Sequence, residues 1–253
     1  MRDEECVGFL QWALPRLGLS WPGFRNVRRQ VCRRISRRLD ELGLADPAAY
    51  RSHLEEHPGE WAHLDGLCRI TISRFWRDRA VFDSLRDLVL PALGPAVRCW
   101  SAGCASGEEP YSLVLAAADA GVAIEVLATD VDPALLERAR RARYPESSLR
   151  DLPGDVRARA FENGCLRLEH REPVSFRLHD VRADPPPGQF DLVLCRNLAF
   201  TYFGEDAQRS VAASLRASLR PGGALVVGSH EEPPEGLFEP WLPRHGVWRR
   251  GPS

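Results

Sequence analysis

The chain contains no lysine; all 34 of its basic residues are arginine. That absence excludes the Walker-type phosphate loop, whose GxxxxGK[ST] pattern requires a lysine. Biased codon usage accounts for the arginine preference without functional selection. The dinucleotide fingerprint GxGxxG is also missing, and the corresponding small-residue loop reads GCASGEE. The seven cysteines form no CxxC pair and no close Cys/His cluster. That excludes the usual zinc spacings, and no metal is expected. No long apolar run occurs, and the N-terminal MRDEECVGFLQWALPRLGL starts acidic. Neither a secretory signal nor membrane insertion is therefore expected. The net charge of −1 gives no whole-chain field toward nucleic acid or membrane. The cysteine number is odd, and Cys99 and Cys195 fall in expected buried strands. Reduced thiols and a cytoplasmic location follow as the expectation.

What is present suits a soluble globular chain: 253 residues, 44% hydrophobic and 27% charged. Its texture changes part-way. Residues 1–90 read as a helical domain. Val27, Val31, Ile35, Leu39 and Leu42 recur at helical spacing, with arginines over the rest of the surface. A second helix is expected in ADPAAYRSHLEEH, with Asp46 as N-cap and Pro47 in the first turn. A third is expected over SRFWRDRAVFDSLRDLVLPAL, stopped near Pro91. Residues 91–253 alternate strands and helices. Strands are expected at VRCWSA, IEVLATD, VSFRLHD, FDLVLCR and ALVVGSH. Helices are expected at EPYSLVLAAADA, PALLERARRARY and EDAQRSVAASLRASL. This βαβ alternation implies an α/β fold with a mostly parallel sheet and right-handed crossovers. A short embedded subdomain is expected near 154–173, with a helix and a hairpin turning at Asn163-Gly164. PPPGQF, from Pro185 to Phe190, reads as a rigid loop.

Ligands of such sheets bind at the C-terminal ends of the strands. Those ends carry Gly103 in the first loop, Asp130 after the second strand, Asp180 after the third, and Arg196 and Asn197 after the fourth. Gly103 permits a tight turn and close ligand approach. An acid in the position of Asp130 can accept both ribose hydroxyls. Glu108 and Glu109 would repel a pyrophosphate and favour a ligand with positive charge and no phosphate. S-adenosylmethionine has that character. Another nucleotide, or a loop whose glycine and acids only shape a turn and favour the helix dipole, are the alternatives.

The motifs CWSAGCASGEEPYSL, LATDVDPALLERAR, YPESSLRDLP, FDLVLCRN, LRPGGALVVGSHE and TISRFWRD resemble those of the CheR-type chemotaxis methyltransferases. The upstream RRISRRLDELGLADPAAYRSHLEE is similar to that family's N-terminal helical pattern. The resemblance implies a Rossmann-like class I methyltransferase sheet of the seven-stranded type, preceded by a small all-helical domain. It implies S-adenosylmethionine as cofactor and S-adenosylhomocysteine as product. By resemblance, Thr71, Ser73 and Arg77 touch the methionine end, Glu108 meets the ammonium and Asp130 holds the ribose. Asp180 and Val181 lie by the adenine, and Arg196 and Asn197 close the site. Glu109 is expected only to cap or stabilise the helix start. Arg77 and Tyr202 match the pair that steers the acceptor. The alternatives for these groups are an ion pair for Arg77, a helix cap for Asn197 and a packing role for Tyr202.

Three departures from the family pattern stand out. Four residues, Leu198 to Thr201, separate Asn197 from Tyr202 where three are common, and one extra helical residue turns a side chain by about 100°. Asp180 stands where asparagine is frequent, and the segment from Gly164 to Pro173 is short. The basic run Arg25–Arg38 suits an acidic protein helix, as the resemblance implies. A solvated amphipathic helix and a nucleic-acid surface are the alternatives, and no interleaved aromatics support base stacking. The resemblance implies O-methylation of a glutamate carboxylate on a protein such as a chemoreceptor. Methylation of a small molecule or another protein nucleophile is the second reading. A non-catalytic cofactor-binding signalling adaptor is the third.

Overall fold

The computed structural model describes residues 2–184 and 187–251, so Pro185 and Pro186 of the expected rigid loop lie outside the described residues. The chain divides into two compact units, 1–70 with 201–207, and 71–200 with 208–253.

The first unit is helical: α1 (Asp3–Arg16), α2 (Trp21–Phe24), α3 (Arg28–Leu42), α4 (Pro47–Glu56) and α5 (Glu60–Cys68). Helix α3 buries Val31, Ile35 and Leu39 at the spacing seen in the sequence and stops at Gly43, which is left-handed at φ 67°. Asp46 caps α4 by accepting a hydrogen bond from Ala49 N at 2.8 Å. Phe9, Leu14, Ile35, Tyr50, Leu54 and Leu64 are wholly buried. Cys6 and Cys32 form a disulfide, which corrects the expectation that all the thiols are reduced. Helical packing of α1 against α3 brings their α-carbons to 5.9 Å, a separation that suits a bridge. Residues 201–207 join this unit through backbone bonds: Ser20 N donates to Tyr202 O and Gly204 N to Gly18 O, both at 2.8 Å. A side chain at Gly23 would put Cβ 2.0 Å from Thr201 O, so only glycine permits this approach.

The second unit is built on β1 (Ala96–Ala102), β2 (Ala123–Asp130), β3 (Phe161–Glu162), β4 (Cys165–Leu166), β5 (Val174–Leu178), β6 (Phe190–Leu194), β7 (Leu219–Val226), β8 (Glu239–Leu242) and β9 (Val247–Arg249). Seven of these form one sheet in the order β5-β2-β1-β6-β7-β9-β8. The first five run parallel, β9 is antiparallel to β7, and β8 is antiparallel to β9. The five parallel strands are those expected. The last two, in FEPWL and GVWRR, are too short and proline- or arginine-rich to show an alternating pattern. Strands β3 and β4 make the small hairpin, turning through Asn163 and Gly164 at φ 50° and 73°.

The remaining helices are α6 (Arg79–Ser84), α7 (Leu90–Leu93), α8 (Glu108–Ala120), α9 (Pro133–Arg141), α10 (Glu146–Leu149), α11 (Gly154–Ala160), α12 (Ala199–Tyr202) and α13 (Glu205–Ser218). Residues 71–90, assigned by composition to the helical domain, group with the sheet. Phe75, Trp76, Val81, Phe82, Leu85 and Val89 are buried in its core. The helix expected from Ser73 begins only at Arg79, because Trp76 and Asp78 are left-handed at φ 56° and 61°. Pro91 does not end the run; a π turn over Leu85–Val89 precedes it, and it sits in the first turn of α7. No helix among the described residues is long and apolar enough to cross a membrane.

Candidate active site

The parallel strands point their C-terminal ends to one edge, and the order reverses between β1 and β6, where such sheets open a crevice. The loop after β1 is held open by left-handed residues, Gly103 at φ 79°, Ala105 at φ 47° and Gly107 at φ 90°. A Cβ on Gly103 would lie 2.4 Å from Leu198 Cδ2. Gly103 N and Cys104 N donate to Thr129 O at 2.8 and 2.9 Å, tying the loop to the end of β2.

Asp130 closes that tie. Ala105 N donates to Oδ2 at 2.8 Å and Asp132 N to Oδ1 at 3.0 Å. Burial raises its carboxyl above the usual range against these backbone donors. Each oxygen keeps acceptor capacity for a hydroxyl.

Glu108 and Glu109 begin α8, where the helix dipole favours negative charge. Glu108 is 1% exposed and accepts hydrogen bonds from Ser106 Oγ at 2.8 Å and Ser148 Oγ at 3.3 Å. Glu109 accepts from Ser101 Oγ at 2.8 Å and pairs with Arg196 at 3.3 Å. Burial outweighs the arginine and raises the Glu109 carboxyl. The expectation that Glu109 only stabilises the helix start is thus too small: it is one pole of a buried ion pair.

Arg196 does not line an open edge. Its side chain is 2% exposed, donates to Arg77 O and Asp78 Oδ2 at 2.9 Å each, and lies over the Phe82 ring at 5.1 Å. It therefore holds the left-handed turn that carries Arg77. Half-buried Arg77 folds back on its own segment, with Nη1 donating to Ile72 O at 2.7 Å and Nη2 to Asn197 Oδ1 at 3.2 Å. Asn197 is left-handed at φ 53°. Its N–H donates to Glu231 Oε2 at 2.7 Å.

Thr71, Ser73, Asp180 and Val181 are half-buried members of the same unit. Asp180 pairs with Arg182 of its own turn, accepting from its N–H at 2.9 Å and its Nε at 3.3 Å. Tyr202 belongs to the helical unit, where its ring meets Phe24 edge-on at 5.2 Å. The sequence reading missed Asp78, Ser101, Ser106, Ser148 and Glu231. Serines beside GEE were a usable signal, since hydroxyls next to buried acids serve as donors. Glu231 ends the motif LRPGGALVVGSHE, which marked the stretch but gave the glutamate no role.

Residues 71–239 match the CheR methyltransferase SAM-binding domain, and residues 26–64 match the CheR methyltransferase all-alpha domain. The chain belongs to the CheR methyltransferase family. This CheR protein is 36% identical over 240 residues to a chemotaxis protein methyltransferase of Listeria monocytogenes, covering 91% of this chain and 90% of that one. It is 33% identical over 222 residues to the chemotaxis protein methyltransferase of Escherichia coli, covering 81% and 77%. It is also 32% identical over 237 residues to an uncharacterized 104.1 kDa protein of Rhodobacter capsulatus, of which it spans only 25%. The protein is an S-adenosylmethionine-dependent methyltransferase, and the donor set fits that cofactor. Three buried or half-buried acids stand at the strand ends, Glu108, Glu109 and Asp130, where a phosphate would be repelled and an ammonium or hydroxyl welcomed.

Proposed function

We propose that this CheR protein methylates the side-chain carboxylate of a glutamate on a protein such as a chemoreceptor. The observation that carries the reading is Arg77, a guanidinium held at the site by Ile72 O and Asn197 Oδ1. A guanidinium is a strong partner for a carboxylate. The likeness to two proteins named chemotaxis protein methyltransferases supports an acceptor in chemotaxis.

S-adenosylmethionine, when bound, supplies a methyl group already activated on a sulfonium. In our reading Asp130 holds the ribose hydroxyls, and Glu108 and Glu109 provide negative charge for the ammonium. Thr71, Ser73 and Arg77 meet the methionine end, and Asp180 and Val181 lie beside the adenine. The acceptor carboxylate is ionised at neutral pH, so no strong base is needed. Arg77 orients it, and the chain's contribution is position and electrostatics. The carboxylate oxygen would accept the methyl, and the bound cofactor's sulfur would keep the electrons of the broken carbon–sulfur bond.

The docking surface in this proposal is narrower than the basic run. Arg28 pairs with Asp3, Arg38 with Glu60 and Glu41, and Arg34 donates to Leu67 O. Arg29, Arg33 and Arg37 are exposed and recur every fourth residue along α3, a stripe that suits an acidic helix, and Arg25 is exposed in the turn before it. A cytoplasmic location is part of the same proposal.

The test is a labelled-methyl assay on lysate, followed by mild base. Release of the label as methanol is expected for a carboxyl ester; base-stable label would move the acceptor to nitrogen or another nucleophile. In the same assay, Arg29→Gln/Arg33→Gln/Arg37→Gln should raise KM for the protein acceptor while leaving S-adenosylhomocysteine affinity unchanged. An unaltered KM would remove the docking stripe.

A further inference from the structure

Glu231 ends the stretch LRPGGALVVGSHE and has no role in the cofactor and acceptor readings, yet it is only 7% exposed within the same unit. One of its oxygens does two jobs. Oε2 accepts from Gly228 N at 2.6 Å and from Asn197 N at 2.7 Å. The first bond, with Glu231 N donating to Gly228 O at 2.9 Å, closes a tight turn after β7. The second reaches the segment after β6 and meets the backbone of a residue in the left-handed region, at φ 53°. Asparagine tolerates that conformation better than most residues but still needs its surroundings to favour it.

A separate observation shows how closely the three groups are fitted. A Cβ at Gly228 would lie 2.8 Å from Glu231 Oε2 and 3.2 Å from both Asn197 Cγ and Oδ1. The bare glycine thus admits the glutamate carboxylate and the asparagine amide together. The consequence appears at the other end of Asn197. With its backbone held, its side-chain Oδ1 accepts from Arg77 Nη2 at 3.2 Å. The turn before α6 is held independently by Arg196, so Arg77 is placed from both sides.

We propose that Glu231 is a positioning residue, acting through Asn197 to set the Arg77 guanidinium against the cofactor and acceptor. The inference rests on the reading that Arg77 touches the cofactor. Neither Glu231 nor Gly228 contacts substrate in this account. Their effect is transmitted by two hydrogen bonds in series.

The test is calorimetric binding of S-adenosylhomocysteine to the full chain, with a thermal melt of each variant. Arg77→Ala and Glu231→Ala should each weaken binding about tenfold, and the double variant should lie within about twofold of Arg77→Ala alone. Glu231→Gln, whose amide oxygen can accept the same two N–H groups, should recover most of the affinity. Two independent tenfold losses multiplying in the double variant would overturn the proposal. So would a lowered melting temperature with wild-type affinity in Glu231→Ala, which would make the residue purely structural. Should Glu231→Ala not fold, Gly228→Ala displaces the same carboxylate and is put through the same cycle with Arg77→Ala, with the same criteria. If Arg77→Ala itself binds like wild type, the cofactor role of Arg77 fails and the proposal with it. A weakened Arg77→Ala beside an unaffected Glu231→Ala rejects the positioning role alone.

Discussion

Arg196 Nη1 lies 3.3 Å from Glu109 Oε2, with the two side chains 2% and 14% exposed. The pair joins the end of β6 to the start of α8, and the same guanidinium reaches Asp78. Removing one member of such a pair leaves a buried charge without compensation. Arg196→Met should cost about 3–5 kcal/mol of unfolding free energy. Arg196→Met/Glu109→Gln should recover part of it. Urea unfolding reads both, and a single-variant loss under about 1 kcal/mol would show the pair to be solvent-screened.

Asp130 is half-buried and bound by two backbone N–H groups. Asp130→Ala should weaken S-adenosylhomocysteine binding at least about tenfold, the scale of a hydrogen bond to a charged group. Unchanged affinity would end the ribose assignment.

Tyr202→Phe keeps the ring that packs on Phe24 and removes only the hydroxyl. If that hydroxyl steers the acceptor, kcat for methyl transfer should fall at least about tenfold with S-adenosylhomocysteine affinity unchanged. Wild-type turnover would make Tyr202 a packing residue.

Glu60 accepts from Arg38 Nε at 2.9 Å, Arg38 Nη2 at 2.8 Å and the Tyr50 hydroxyl at 2.7 Å. The arginine bonds, with help from Tyr50, pull its carboxyl down to about 2 from an ordinary 4.5. A carboxyl held below its unfolded value stabilises the fold above that value and loses the contribution as pH falls through the lower one. Glu60→Gln should therefore cost roughly 1.5–3 kcal/mol at neutral pH. The gap from wild type should close between pH 4.5 and about 2 in denaturation series. A gap independent of pH would assign the loss to packing.

The Cys6–Cys32 bridge closes a loop with a sequence separation of 26. Cys32→Ser should lower stability by roughly 3 kcal/mol and make unfolding insensitive to reductant. Wild type in reductant should match it. Equal stability of wild type with and without reductant would show the bridge to be energetically idle.

Much of this molecule was legible from local pattern. The five parallel strands, the Asp46 cap, the Asn163-Gly164 hairpin and the acids of GCASGEE each follow from neighbours a few residues apart. Their identities alone dictate backbone preference, period and charge. Thus the α/β class, the methyltransferase family and a cofactor rich in positive charge and poor in phosphate were readable in the chain. Tertiary structure decided the rest. Arg196 meets Glu109 across 87 positions, and Asn197 meets Glu231 across 34. No periodicity records which arginine or glutamate will be sealed inside. The left-handed turn at Trp76 and Asp78, the disulfide between α1 and α3 and the membership of Tyr202 in the helical unit have the same origin. Each is a contact between segments distant in sequence, selected by packing and by the cost of leaving a buried charge or N–H unpaired.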